Sequence, residues 1–106
     1  MVELYPEKLL TIITTDVLEE KLVDSFKKYG ASGYTIMPAR GAGSYGSSDM
    51  TGFDANIMVK LIMPEERVDA MLESLQRKIN KGYHLTVTVA DVKVINPSKF
   101  NTPLEG

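Results

Sequence analysis

Arg40-Gly41-Ala42-Gly43-Ser44 is the segment of this chain whose residue types are best suited to holding a ligand. Two glycines one residue apart let backbone N–H groups converge on an anion as a nest. Ser44 adds a hydroxyl and Arg40 a positive charge. The same residues also read as a flexible loop tip. The pattern is neither a Gly-Lys-Ser/Thr loop opening a helix nor a three-glycine dinucleotide fingerprint. Other reactive groups are sparse. There is no cysteine, which removes disulfides, thiolate metal sites and thiol catalysis and fits a reducing compartment. The single histidine, His84, excludes a multi-histidine metal site within one chain but not one shared at a symmetry axis. Asp54, Asp91 and His84 are candidate bases for a hydrolase, yet nothing in their spacing pairs them.

The elements that must position these residues follow from apolar periodicity. Lys8 to Thr14 reads as a buried strand. Asp16 reads as an N-cap with Glu19 completing a capping box, and Leu18, Leu22, Phe26 and Tyr29 form one stripe of a helix that Gly30 ends. A second strand spans Gly33 to Arg40, and Pro38 marks it as an edge or strand end. Ala55 to Met63 is a third strand. Pro64 opens a second helix whose buried face is Val68, Met71, Leu72, Leu75 and Ile79, with Gly82 just beyond it. His84 to Ile95 is a fourth strand. Its apolar phase changes from Leu85, Val87 and Val89 to Val92 and Val94, which predicts a bulge or break near Val89–Ala90.

The order β-α-β-β-α-β predicts an α+β, ferredoxin-like fold: a four-stranded antiparallel sheet with both helices on one face. All four strands carry apolar residues on both faces, so the bare face needs a cover, and further copies of the chain are the simplest one. The connection between strands two and three, about residues 38–54, far exceeds an ordinary hairpin loop. Its Gly, Ser and Asp content predicts conformational variability near Ala42–Gly52 without a ligand. Residues 1–95 form the domain and 96–106 a polar tail, expected to be mobile.

Composition narrows the function classes. The chain is 43% apolar and 25% charged, as soluble globular domains are, and it has no apolar run long enough for a membrane span. Its first residues are acidic and lack an apolar signal core, so a cytoplasmic location is expected. With net charge −2 and scattered Lys and Arg, there is no electrostatic footprint for nucleic acid. The RNA-binding version of this fold also needs stacking aromatics on its central strands, and neither predicted central strand has one.

Three segments, YGASGYTIMPARGAGS, MPEERVDAMLESLQ and LTVTVADVKVI, resemble the landmarks of PII signal-transduction proteins over most of residues 8–95. The short return SDMTGFDANI resembles the carbon-associated, SbtB and carboxysome-linked PII-like branch more than the nitrogen regulators. The resemblance implies a homotrimer with adenine nucleotides in three clefts between subunits. It also implies a long loop (the T-loop) that changes shape with the ligand and engages a membrane transporter or enzyme.

Carried over residue by residue, Thr35 falls at the adenine-recognising threonine, and Met63 where a main-chain group meets adenine. Gly41 and Gly43 fall at the base of the T-loop, whose backbone contacts phosphate, and Gly82 in the turn lying against the ligand (the B-loop). Ile36, Met37, Arg40, Ala42, Ser44, Tyr83 and His84 complete the expected nucleotide-binding set. Alternatives stay open: Thr35 as a plain strand residue, Met63 as core, Gly82 as helix terminator, His84 as strand-end surface.

Departures from the family pattern set the expected ligand. Tyr83 stands where a B-loop lysine would be, Val94 and Asn96 replace arginines, and Ser44 and Tyr45 occupy the place of the glutamine used for 2-oxoglutarate. Each charge-assisted contact contributes about 1.5–3 kcal/mol, so the loss of several cations weakens any preference for additional phosphates. AMP, ADP or cyclic AMP are therefore expected at least as much as ATP, with bicarbonate a candidate second effector and no catalytic cofactor or metal. The expected function is regulation of a bicarbonate or other small-solute transporter without catalysis. The alternative is a slow nucleotide hydrolase of the same fold.

Overall fold

The computed structural model describes residues 1–41 and 56–104. Six main elements follow in order: β1 (Tyr5–Thr15), α1 (Glu19–Lys28), β2 (Thr35–Ala39), β3 (Asn56–Met63), α2 (Glu65–Asn80) and β4 (Thr86–Val94). The strands lie in the order β2-β3-β1-β4 and every neighbouring pair is antiparallel. This is the ferredoxin-like arrangement that the element order predicts.

Alternation divides the sheet into two faces. Leu10 lies opposite Leu61 and Ile12 opposite Val59, and these four are at most 2% exposed. They share one core with Leu22 and Phe26 of α1 and Val68, Met71 and Leu75 of α2, which places both helices on that face. Burial of each such side chain contributes about 1.5–3 kcal/mol, so this layer carries the stability of the domain. On the other face Leu9 lies opposite Ile62, and Met58 between Ile13 and Met37; all are only half-buried in the single chain.

The helix ends show where local signals hold and where they yield. Gly30 takes φ +82° and Gly82 φ +102°. Behind them Ala31 N–H donates to Phe26 O at 2.9 Å and Tyr83 N–H to Lys78 O at 3.1 Å, so both helices close with the wrap that a left-handed residue permits. The capping box does not form. β1 continues to Thr15, the chain turns through a 3₁₀ segment at Asp16–Leu18, and neither this turn nor α1 has a side-chain cap. Ile79 is 37% exposed, because it lies in the last turn of α2, beyond Leu75, where the core ends.

The predicted bulge in β4 is also absent. Pairing with β1 runs in one register from Ile13–Thr86 to Tyr5–Val94. The apolar phase changes because the cover changes. Leu85 and Val87 pack against the helix-backed core, Val89 is 43% exposed, and Val92 and Val94 stand on the open face.

Beyond β4 the chain makes further contacts with the helix layer. Pro97–Phe100 forms a 3₁₀ turn, Leu104 N–H donates to Ala31 O at 2.7 Å, and Arg67 Nη2 donates to Asn101 O at 3.4 Å. The expected variability of Ala42–Gly52 lies outside the described residues.

Candidate functional site

β2 is an edge strand, paired with β3 on one side only. Thr35 begins it, exposed and opposite Lys60. Ile36 turns toward the core, whereas Met37 lies opposite Met58 on the open face. Pro38 is accommodated because its strand is an edge. Arg40 and Gly41 follow at once and are exposed. Ala42, Gly43 and Ser44 lie outside the described residues. Gly41 has no positive φ, and an added Cβ would meet no atom within 4 Å. Among the described residues, nothing in the backbone or packing at this position requires a glycine.

Met63 ends β3 opposite Lys8, and its side chain is fully buried. The residue as a whole, main chain included, is 0% exposed in the single chain. Gly82, Tyr83 and His84 form the turn from α2 into β4. Thr14 Oγ1 donates to His84 O at 2.8 Å, fastening that turn to the end of β1. Tyr83 is 38% exposed, with Lys21 Nζ 5.9 Å from its ring centroid.

These residues form two groups. Ala39 lies opposite Asn56, and Asn56 opposite Thr15, so Gly41 and His84 emerge at the same end of the sheet. They lie on its two lateral edges, three strand spacings apart, or about 14 Å. Among the described residues of one chain the two groups do not meet.

The hydrolase candidates are not assembled either. Asp91 pairs with Lys8, while His84 is fastened near Thr14. Six residues along β1 separate those points by about 20 Å. Asp54 lies outside the described residues. No group of three or more His, Cys, Asp or Glu able to hold a metal ion occurs among the described residues. The observed β1 is longer than predicted and includes one aromatic, Tyr5, at the sheet's far end and hydrogen-bonded to Glu3.

Two concavities contain none of the residues expected to bind nucleotide, although the candidate base Asp91 lines the first of them. One, of about 410 Å³, lies where the start of β1 and the end of β4 meet Glu65 of α2. Beside it Glu7 is 7% exposed with Oε2 unpartnered, and burial, then the nearby Glu66, raises its carboxyl above the usual range. The other, of about 240 Å³, lies between α1 and α2. Sequence reasoning missed both. Their residues are far apart along the chain, and alternation alone gives Ser25, Ser74 and Lys78 no distinguishing signal.

An open apolar sheet face and a long β2–β3 connection on a ferredoxin-like frame define a class of small signalling domains. The sequence matches the family of nitrogen regulatory protein P-II over residues 7–99, and the chain belongs to the PII family. Trimeric assembly and the T-loop are features of that family.

CPII, a nitrogen regulatory PII-like protein from Thiomonas intermedia K12 bound to ADP, AMP and bicarbonate, is similar at 35% identity and a TM-score of 0.85. The match covers 94% of this chain and 98% of that one. A PII-like signalling protein from Thermus thermophilus is 36% identical with a TM-score of 0.76, covering 92% and 98% of the two chains. CutA from Synechococcus elongatus PCC7942 is 15% identical with a TM-score of 0.64 over 94% of each chain, and shares the fold alone. No curated protein matches the sequence. No helix among the described residues is long and apolar enough to cross a membrane.

Proposed function

We propose that the chain is a non-catalytic sensor of adenine nucleotides that regulates a partner through its β2–β3 loop. Three copies pack through their open sheet faces. Each intersubunit cleft takes its adenine against Thr35 and the main chain of Met63, near Ile36 and Met37. Its phosphates rest on Arg40 to Ser44 and the Gly82–His84 turn. The observation that carries this reading is the 35% identity, over nearly the whole chain, to a PII-like protein that holds ADP, AMP and bicarbonate. The separation of the candidate residues to two edges of one sheet supports a cleft between copies.

Bicarbonate is the proposed second effector, and a cytoplasmic regulator of a bicarbonate or other small-solute transporter is the proposed role. Isothermal titration with AMP, ADP, ATP and cyclic AMP, with and without bicarbonate, tests it. Saturable binding of AMP or ADP at least as tight as ATP, without phosphate release, is expected. Failure of all four nucleotides to bind would overturn the reading, and turnover would favour the hydrolase instead.

A further inference from the structure

A cationic cleft lies on the helix layer, on the far side of the sheet from its open face. Lys28, Arg77, Lys78 and Lys81 line it against a single carboxylate, Asp24. Its floor is a pair of buried hydroxyls, Ser25 and Ser74, 6% and 4% exposed and 3.2 Å apart. Lys78 Nζ donates to Ser25 Oγ at 2.8 Å and to Ser74 Oγ at 3.3 Å. Arg77 Nη2 donates to Tyr29 Oη at 2.9 Å. Among the described residues the ion pair within 4 Å is Lys8–Asp91, at the other cavity, so no carboxylate meets the four cations here.

Basic residues in a last helical turn complement the helix dipole, which accounts for Arg77 and Lys78 being there. It does not account for the half-buried ammonium of Lys78, which exchanges water for two neutral hydroxyls. Burial, with Arg77, Lys21 and Lys81 nearby, lowers its pKa from the ordinary lysine value, only partly offset by Tyr29. A concave surface lined by one sign of charge concentrates counter-ions. In a chain of net charge −2, this local excess of cations is set against the overall balance. Lysine ammonium, guanidinium and hydroxyl donors converging from two helices are the donor set of a tetrahedral oxyanion. The cleft volume of about 240 Å³ leaves room for a phosphate and a small substituent.

We propose that the α1–α2 cleft binds phosphate, either free or carried by a small phosphoester, as a second anion site separate from the nucleotide cleft. Lys78 and Arg77 supply the charge, and the one serine O–H that the Ser25–Ser74 hydrogen bond leaves free is the remaining donor.

The test is an amide NMR titration of the full chain with inorganic phosphate and, separately, glycerol 3-phosphate, at ionic strength held constant with chloride. Saturable shifts centred on Ser25, Ser74 and Lys78 are expected, with affinity at least tenfold weaker in Lys78→Met and severalfold weaker in Arg77→Gln. Tighter binding of the ester assigns a phosphoester ligand, and the reverse order assigns free phosphate. Arg77 is exposed, so its variant reports even where Lys78→Met alters the fold. Shifts absent at these amides, or affinities unchanged in both variants, would overturn the proposal. The residue-specific readout keeps the outcome independent of nucleotide binding.

Discussion

Gly41 separates a ligand-imposed requirement from a fold-imposed one. Its φ is not positive and a methyl group there meets nothing within 4 Å among the described residues, so Gly41→Ala is expected to leave the melting temperature unchanged. If its backbone meets phosphate at close range, the same variant weakens ADP at least fivefold, or about 1 kcal/mol, the scale of one hydrogen bond. Calorimetric titration beside a thermal melt checks both. Gly82 behaves oppositely. At φ +102° an alanine is strained although the space is open, so Gly82→Ala is expected to cost about 1–2 kcal/mol in denaturant unfolding.

Lys78 gives a pH signature. Its folded pKa lies below that of the unfolded chain, so its burial costs stability at neutral pH, where both states are charged. That cost fades as pH rises through the folded value toward 10.5. Wild type is therefore expected to gain stability relative to Lys78→Met between pH 7 and pH 10.5, measured by thermal melts across that range.

At the scale of elements, legibility follows from whether the signal is local. Leu22 and Phe26 mark the buried stripe of α1, which Leu18 extends into the preceding 3₁₀ turn, because they repeat at helical spacing, and all three are at most 5% exposed. Pro38 marks β2 as an edge or a strand end, and the strand order makes it an edge. The capping box fails because Thr15 still belongs to β1, which forces the turn into a 3₁₀ segment before α1 begins. The phase change in β4 is correctly visible as a pattern, but its cause is a change of cover along an unbroken ladder, which only the neighbouring elements reveal. The candidate site is half legible. The β2 edge and Gly41 can be found from the sequence, while the placing of the Gly82–His84 turn on the opposite edge depends on strand order. Phe26 is fully buried where α1 meets the sheet, so Phe26→Ala is expected to cost about 3–5 kcal/mol. A chemical denaturation midpoint measures it.

At the scale of the molecule, the two sheet faces have different tasks. One is sealed by helices within the chain. The other offers Leu9, Ile13, Met58 and Ile62 to a neighbour, and the residues assigned to the nucleotide lie on the two edges that such neighbours would bring together. Ile13→Lys places a charge on that face without touching the helix-backed core. It is expected to give a folded monomer by circular dichroism and light scattering, with loss of ADP binding.

Assembly and ligand are thus one question, and native mass spectrometry of the intact protein with increasing ADP reads both at once. The expected spectrum is a trimer that takes up three nucleotides and no more. A monomer that binds ADP, or a trimer that remains empty at saturating ADP, would contradict a nucleotide site built between subunits.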